Sequence, residues 1–199
     1  MSTFRARGLL LCGILVIGVG TMALIGRGVG SSQPKPVLKE PINTFFNAPP
    51  DNIADMVTHA DAVVLGRMVG RTPLNPRDSA GPPRFASHFQ VLEILHNFTK
   101  QQVDPQAIDI LRPSGDIDLG SHVVSGYQVG FPEFDRGHQY VVFLSWNEAL
   151  PGWVPAYGPD SVFDVTTGHP QTFGRSALAD KLTRKSSDDL LNQVRFLGR

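Results

Sequence analysis

His138-Gln139-Tyr140-Val141-Val142-Phe143-Leu144-Ser145-Trp146 carries the strongest strand pattern in this chain. In an extended chain successive side chains alternate between two faces. Tyr140, Val142, Leu144 and Trp146 then share one face, and Val141 and Phe143 share the other. A strand apolar on both faces is central in its sheet, with the sheet core on one side and a helix or second sheet on the other. Asp135-Arg136-Gly137 just before it has turn chemistry.

Toward the C-terminus, 153–157 and 161–166 read as a hairpin across Gly158-Pro159-Asp160. The chain closes on a helix over 187–197. Ser187 is its expected N-cap, Asp188 and Asp189 complement the positive end of the helix dipole, and Leu190, Leu191, Val194 and Leu197 form its apolar stripe. Toward the N-terminus, Asp51 can cap a short helix over 52–59. A long strand over 62–71 follows, with Gly66 and Gly70 placed on one face, where missing side chains let the strand curl or another backbone approach. The segment 72–83 holds four prolines and reads as a loop; 84–96 is a second strand, apolar on both sides, which calls for a bulge or double burial. Further strands are expected over 107–112 and 121–128.

The first fifty residues differ in kind. Residues 8–26 run for 19 residues without a charge, behind Arg5 and Arg7. At 1.5 Å per residue that is about 28 Å, close to the roughly 30 Å hydrocarbon core of a bilayer. The reading is a basic n-region over 1–7 and a transmembrane helix, or else a cleaved signal peptide, over 8–26. Either one places 31–199 outside the cytoplasm: cell membrane, single-pass, or secreted after cleavage. Residues 27–50, with Pro34, Pro36, Pro41, Pro49 and Pro50, read as a linker; Phe45-Phe46 interrupts it, and its rings either dock on the domain, the favoured reading, or lie at the bilayer surface. The domain proper is then 51–199.

Charge and composition bound the function. The chain carries 18 basic and 18 acidic residues; five bases and one acid fall in 1–50, leaving 13 against 17 beyond. That balance excludes a strongly basic nucleic-acid binder. A single cysteine, Cys12, excludes an intrachain disulfide and any multi-cysteine metal site.

The segments Ala60-Asp61-Ala62-Val63-Val64-Leu65-Gly66-Arg67-Met68-Val69, Phe89-Gln90-Val91-Leu92-Glu93-Ile94-Leu95-His96 and Gly137-His138-Gln139-Tyr140-Val141-Val142-Phe143-Leu144, followed by a C-terminal helix, resemble a diffuse group of uncharacterised exported bacterial domains. Their order is also similar to the netrin-like domain of metalloproteinase inhibitors, an OB-type barrel. The resemblance implies a mostly β fold with a C-terminal helix, a small curled OB-like barrel behind the N-terminal transmembrane or signal helix. Those inhibitors reach zinc through an amino-terminal cysteine; this chain has no cysteine after Cys12, so that activity does not carry over.

Chemistry is sparse. The six histidines form no HExxH or other short ligand pair. Asp116 and Asp118 stand two apart in a glycine-bounded loop, a spacing that suits a hard cation, and His122 with His138 is a pair that different strands can bring together. Arg112-Pro113-Ser114-Gly115 offers a cation and backbone donors to an anion. There is no GxSxG and no GxxxxGK[ST]. Trp146, Trp153 and Tyr157 are candidates for a binding surface, although aromatics in hairpins more often pack in a core. The expectation is a membrane-tethered extracytoplasmic binding or interaction module without a cofactor. Its partners are the membrane through 8–26 and an envelope protein or small ligand, with no nucleic acid. The alternative is a cell-envelope hydrolase or metal-dependent enzyme with a dispersed site.

Overall fold

In a computed structural model of the chain, residues 34–42, 46–74, 84–99, 101–112, 115–118, 121–128, 130–131, 133–149 and 151–199 are described. The basic residues and apolar run of 1–26 lie outside them. Among the described residues no helix is long and apolar enough to cross a membrane.

The order of elements is β1 (Val37–Ile42), α1 (Ile53–His59), β2 (Ala62–Leu74), β3 (Arg84–Asn97), β4 (Ala107–Arg112), β5 (Gly115–Asp118), β6 (Val123–Gln128), β7 (Gln139–Asn147), β8 (Gly152–Pro155), β9 (Val162–Asp164), β10 (Gln171–Thr172), α2 (Ala177–Thr183) and α3 (Ser187–Leu197). The fold is mostly β with a C-terminal helix, as expected.

The larger sheet runs β10-β9-β7-β2-β3-β4-β8, and β8 pairs back onto β7. Strands β7, β2, β3, β4 and β8 therefore close a curled ring. One edge of β7 carries two short strands end to end: β9 opposite Tyr140–Val142 and β8 opposite Leu144–Asn147. This differs from the hairpin expected between 153–157 and 161–166. The two segments do not pair with each other, because the 3-10 turn at Gly158–Ser161 carries the chain from one to the next along the β7 edge.

Two apolar clusters lie on the two faces of the sheet. The ring interior holds Ala62, Val64, Met68, Phe89, Val91, Ile108, Ile110, Tyr140, Val142, Leu144 and Trp153. The outer face packs Val63, Leu65, Leu95, Val141 and Phe143 against α1, α2 and α3 through Met56, Val57, Leu182, Leu190 and Val194. The alternation along β7 thus maps onto two separate cores, as a central strand requires. At α3 the cap is Ser186, whose hydroxyl accepts from the Asp189 amide, while Ser187 is buried; at α1 the cap is Asn52, one residue beyond the expected Asp51.

Three irregularities shape the long β2–β3 pair, between Val63 and Val64, Leu65 and Gly66, and Met68 and Gly70. The last reverses an expectation. Without it Gly66 and Gly70 would share a face; with Val69 as the extra residue, Gly66 lies against Phe89 inside the ring and Gly70 lies beside His88 on the other face.

The linker is shorter than its composition suggests. Residues 37–42 form β1, which pairs parallel with β6, Val37 opposite Val123 through Ile42 opposite Gln128. With β5 they make a separate three-stranded sheet. Phe46 docks on the domain: its ring meets Phe131 edge-on and fills the space over Gly158. Phe45 lies outside the described residues.

Candidate functional site: the ring mouth and its flanking polar groups

The interior of the ring is apolar until its end near Phe85. There β2, β3 and β4 contribute Arg71, Ser87 and Arg112 on the inward face, in register, since Arg71 pairs with Ser87 and Arg112 with Phe85. Met68, Phe85, Glu133 and Phe134 complete the lining of a small cavity of about 10 Å³, room for one water-sized group.

Arg112 sits at its base and is 3% exposed. Its guanidinium lies 3.8 Å from the Phe131 ring centre and 5.0 Å from that of Phe134. Nη2 donates to the Phe131 carbonyl at 2.5 Å. Burial pulls its pKa down to about 10, with Tyr140 acting in the opposite sense, so the group stays cationic at neutral pH. Arg71 and Glu133 pair at the outer rim, both about half exposed. Tyr140 lies inside the ring; its hydroxyl accepts from the Asp135 amide at 2.8 Å, and burial pushes its pKa up to about 12.

No known protein family and no curated protein matches this sequence.

The other candidate residues scatter. Asp116 and Asp118 are not in a loop; they occupy β5, Asp116 opposite Ser125 and Asp118 opposite Val123, because the segment extends to pair with β6. His122 lies just before β6 and its Nδ1 is 2.9 Å from the Ser121 hydroxyl. His138 instead pairs with Asp164, Nδ1 to Oδ2 at 2.6 Å, across the β7–β9 edge. Its pKa is raised, chiefly by that hydrogen bond. Burial pushes the Asp164 carboxyl up, but hydrogen bonds from His138 and from the hydroxyl and amide of Thr166 outweigh it and leave the pKa lowered. Among the described residues no group of three or more His, Cys, Asp or Glu gathers to hold a metal.

Trp146 and Trp153 face each other across β7 and β8, rings 5.3 Å apart and near perpendicular. Trp153 is buried in the interior core, whereas Tyr157 is buried in the outer one. Opposite sides of one sheet separate them, so the three aromatics do not form a common surface.

A second polar line was not legible in the sequence. On the face opposite the cavity, Thr72, His88 and Asp109 stand on β2, β3 and β4. Thr72 Oγ1 lies 2.7 Å from His88 Nε2, and His88 Nδ1 lies 2.6 Å from Asp109 Oδ1. Spacings of 16 and 21 residues carry no motif; only the strand register and the bulge at Val69 bring them together.

Proposed function

We propose that the chain is a membrane-tethered, extracytoplasmic binding module, its strand ring an OB-like barrel that receives a small anionic group at the mouth lined by Arg71, Ser87 and Arg112. The observation that carries this reading is Arg112: a buried guanidinium, charged at neutral pH, that lines the small cavity together with Arg71 and Ser87. A guanidinium that lines a cavity is placed to meet an anionic oxygen there. Planar guanidinium donors suit carboxylate and phosphate oxygens. The cavity admits one oxygen-sized group; Arg71 at the rim, now on Glu133, is the second cation that a ligand oxygen can recruit.

The tether supports the same reading. The uncharged run 8–26 has the length and basic flank of a spanning or signal helix. Only ten residues, 27–36, separate it from β1.

Inorganic phosphate and acetate are suitable first probes, added to the full chain in detergent micelles. The expected result is a saturable rise in the unfolding temperature that falls at least several-fold in Arg71→Gln/Ser87→Ala, both changed at the rim and wall rather than at the buried base. No rise, or an equal rise in the variant, contradicts anion capture at the mouth.

A further inference from the structure

We propose that Thr72 carries a reactive hydroxyl, activated by His88 and positioned by Asp109, that accepts acyl groups from small esters and releases them to water. This activity is separate from anion capture at the mouth, since the three residues occupy the opposite face of the same strands.

The hydrogen-bond roles follow from the atoms. The Asp109 carboxylate can only accept, so the Nδ1 at 2.6 Å carries a proton. The neutral imidazole then presents a lone pair at Nε2, and the Thr72 hydroxyl at 2.7 Å donates to it. A hydroxyl donating to an imidazole whose far nitrogen is fixed by a carboxylate is the arrangement that activates a weak oxygen nucleophile. The His138–Asp164 pair has the same carboxylate–imidazole half.

The strands hold the line rigid. His88 pairs with Gly70 on one side and with Asp109 on the other. The bulge at Val69 turns Thr72 to the outer face, two residues along β2 from Gly70. Gly70 leaves the imidazole edge open: a Cβ there would lie 3.9 Å from His88 Cδ2, and that space is vacant. The side chains of His88 and Asp109 are 35% and 60% exposed. Such an open site takes a small acyl group and gives a long or bulky one nothing to lie in.

The step balances without any co-reactant but water. Thr72 Oγ1 bonds to the acyl carbon, its proton passes to His88 Nε2, and the ester C–O bond breaks. The departing alkoxide or aryloxide takes that proton. Water, deprotonated by His88, then cleaves the acyl-threonine, releasing the carboxylic acid and restoring the hydroxyl. Asp109 touches no substrate; it is a positioning residue.

The test uses the full chain in detergent micelles with p-nitrophenyl acetate. Peptide mapping is expected to find acetyl on Thr72, and p-nitrophenol release to fall about tenfold or more in Thr72→Val, which keeps the β-branched shape, while Thr72→Ser retains it. Asp109→Asn is expected to slow release and shift its pH profile, which loss of packing alone would not do. Acetyl found on lysines and not on Thr72, or Thr72→Val releasing p-nitrophenol at the original rate with its circular dichroism unchanged, overturns the proposal. Retention of the phosphate-induced stabilisation in Thr72→Val is expected whichever way this test falls, so failure here and failure of the mouth reading are told apart.

Discussion

Gly66 lies directly against Phe89: a Cβ on Gly66 would come within 3.2 Å of the Phe89 ring and 3.3 Å of the Gln90 carbonyl. Backbone on one side and a fully buried aromatic on the other leave nothing that yields freely. Gly66→Ala is therefore expected to destabilise the domain by about 1–3 kcal/mol, the usual cost of overpacking a tight core. Gly70→Ala, with its nearest neighbour at 3.9 Å, serves as the control and should be close to neutral. Urea unfolding of the two variants checks the contrast.

Arg195 on α3 grips Glu93 on β3 with both prongs, Nε to Oε1 at 2.9 Å and Nη2 to Oε2 at 2.7 Å. The hydrogen bond to Arg195 holds the Glu93 carboxyl below its ordinary pKa, against a smaller upward push from burial. A depressed carboxyl contributes stability above its unfolded pKa and loses it as pH falls through the folded value. Glu93→Gln should flatten the acid limb of the stability profile as pH falls below about 4.5. At neutral pH the loss should be no more than about 1 kcal/mol, because both side chains are over a third exposed.

The His138–Asp164 pair predicts the opposite slope at higher pH. His138 has a raised pKa, so its contribution is complete below the unfolded value and disappears as pH rises through the folded one. Urea midpoints of the unaltered chain should decline as pH rises above about 6.5, and His138→Gln should remove that decline. A decline of the same size in the variant would assign it elsewhere.

Phe46 ties the segment behind β1 to the ring, by its edge-on contact with Phe131 and its position over Gly158. Gly158 has φ +56°, which a side chain adopts poorly, and the Phe46 ring already fills the space a Cβ needs. Phe46→Ala should cost about 1–2 kcal/mol, less than a fully buried phenylalanine because Phe46 is 36% exposed. Limited proteolysis should then cut within 34–50 at a rate well above that of the unaltered chain.

Periodicity made the long strands and the last helix legible. Val141 and Phe143 against Tyr140, Val142 and Leu144 is a pattern strong enough to place β7 between two cores. The mixed faces of 84–96 signalled the bulges that β3 contains. Short elements escaped. β5 hides in Gly115–Asp118, where two aspartates read as a turn, and α2 is only seven residues, its signal limited to Ser176 before Leu178, Ala179 and Leu182. β1 was hidden by the prolines around it and by Pro41 within it, which a sheet edge tolerates. The two polar lines at the ring end depend on register. Arg112 was visible as a candidate anion contact, but its burial was not. Thr72, His88 and Asp109 meet only because one extra residue at Val69 resets which face each side chain takes.

We propose that the domain works at the outer side of a membrane to which its own N-terminal segment binds it. Cell fractionation with an alkaline carbonate wash, followed by external protease after removal of any outer barrier, tests this most directly. The expected result is an intact chain in the washed membrane pellet whose C-terminal domain is digested from outside. An intact, unprocessed chain free in the cytosol, protected from that protease, would contradict it.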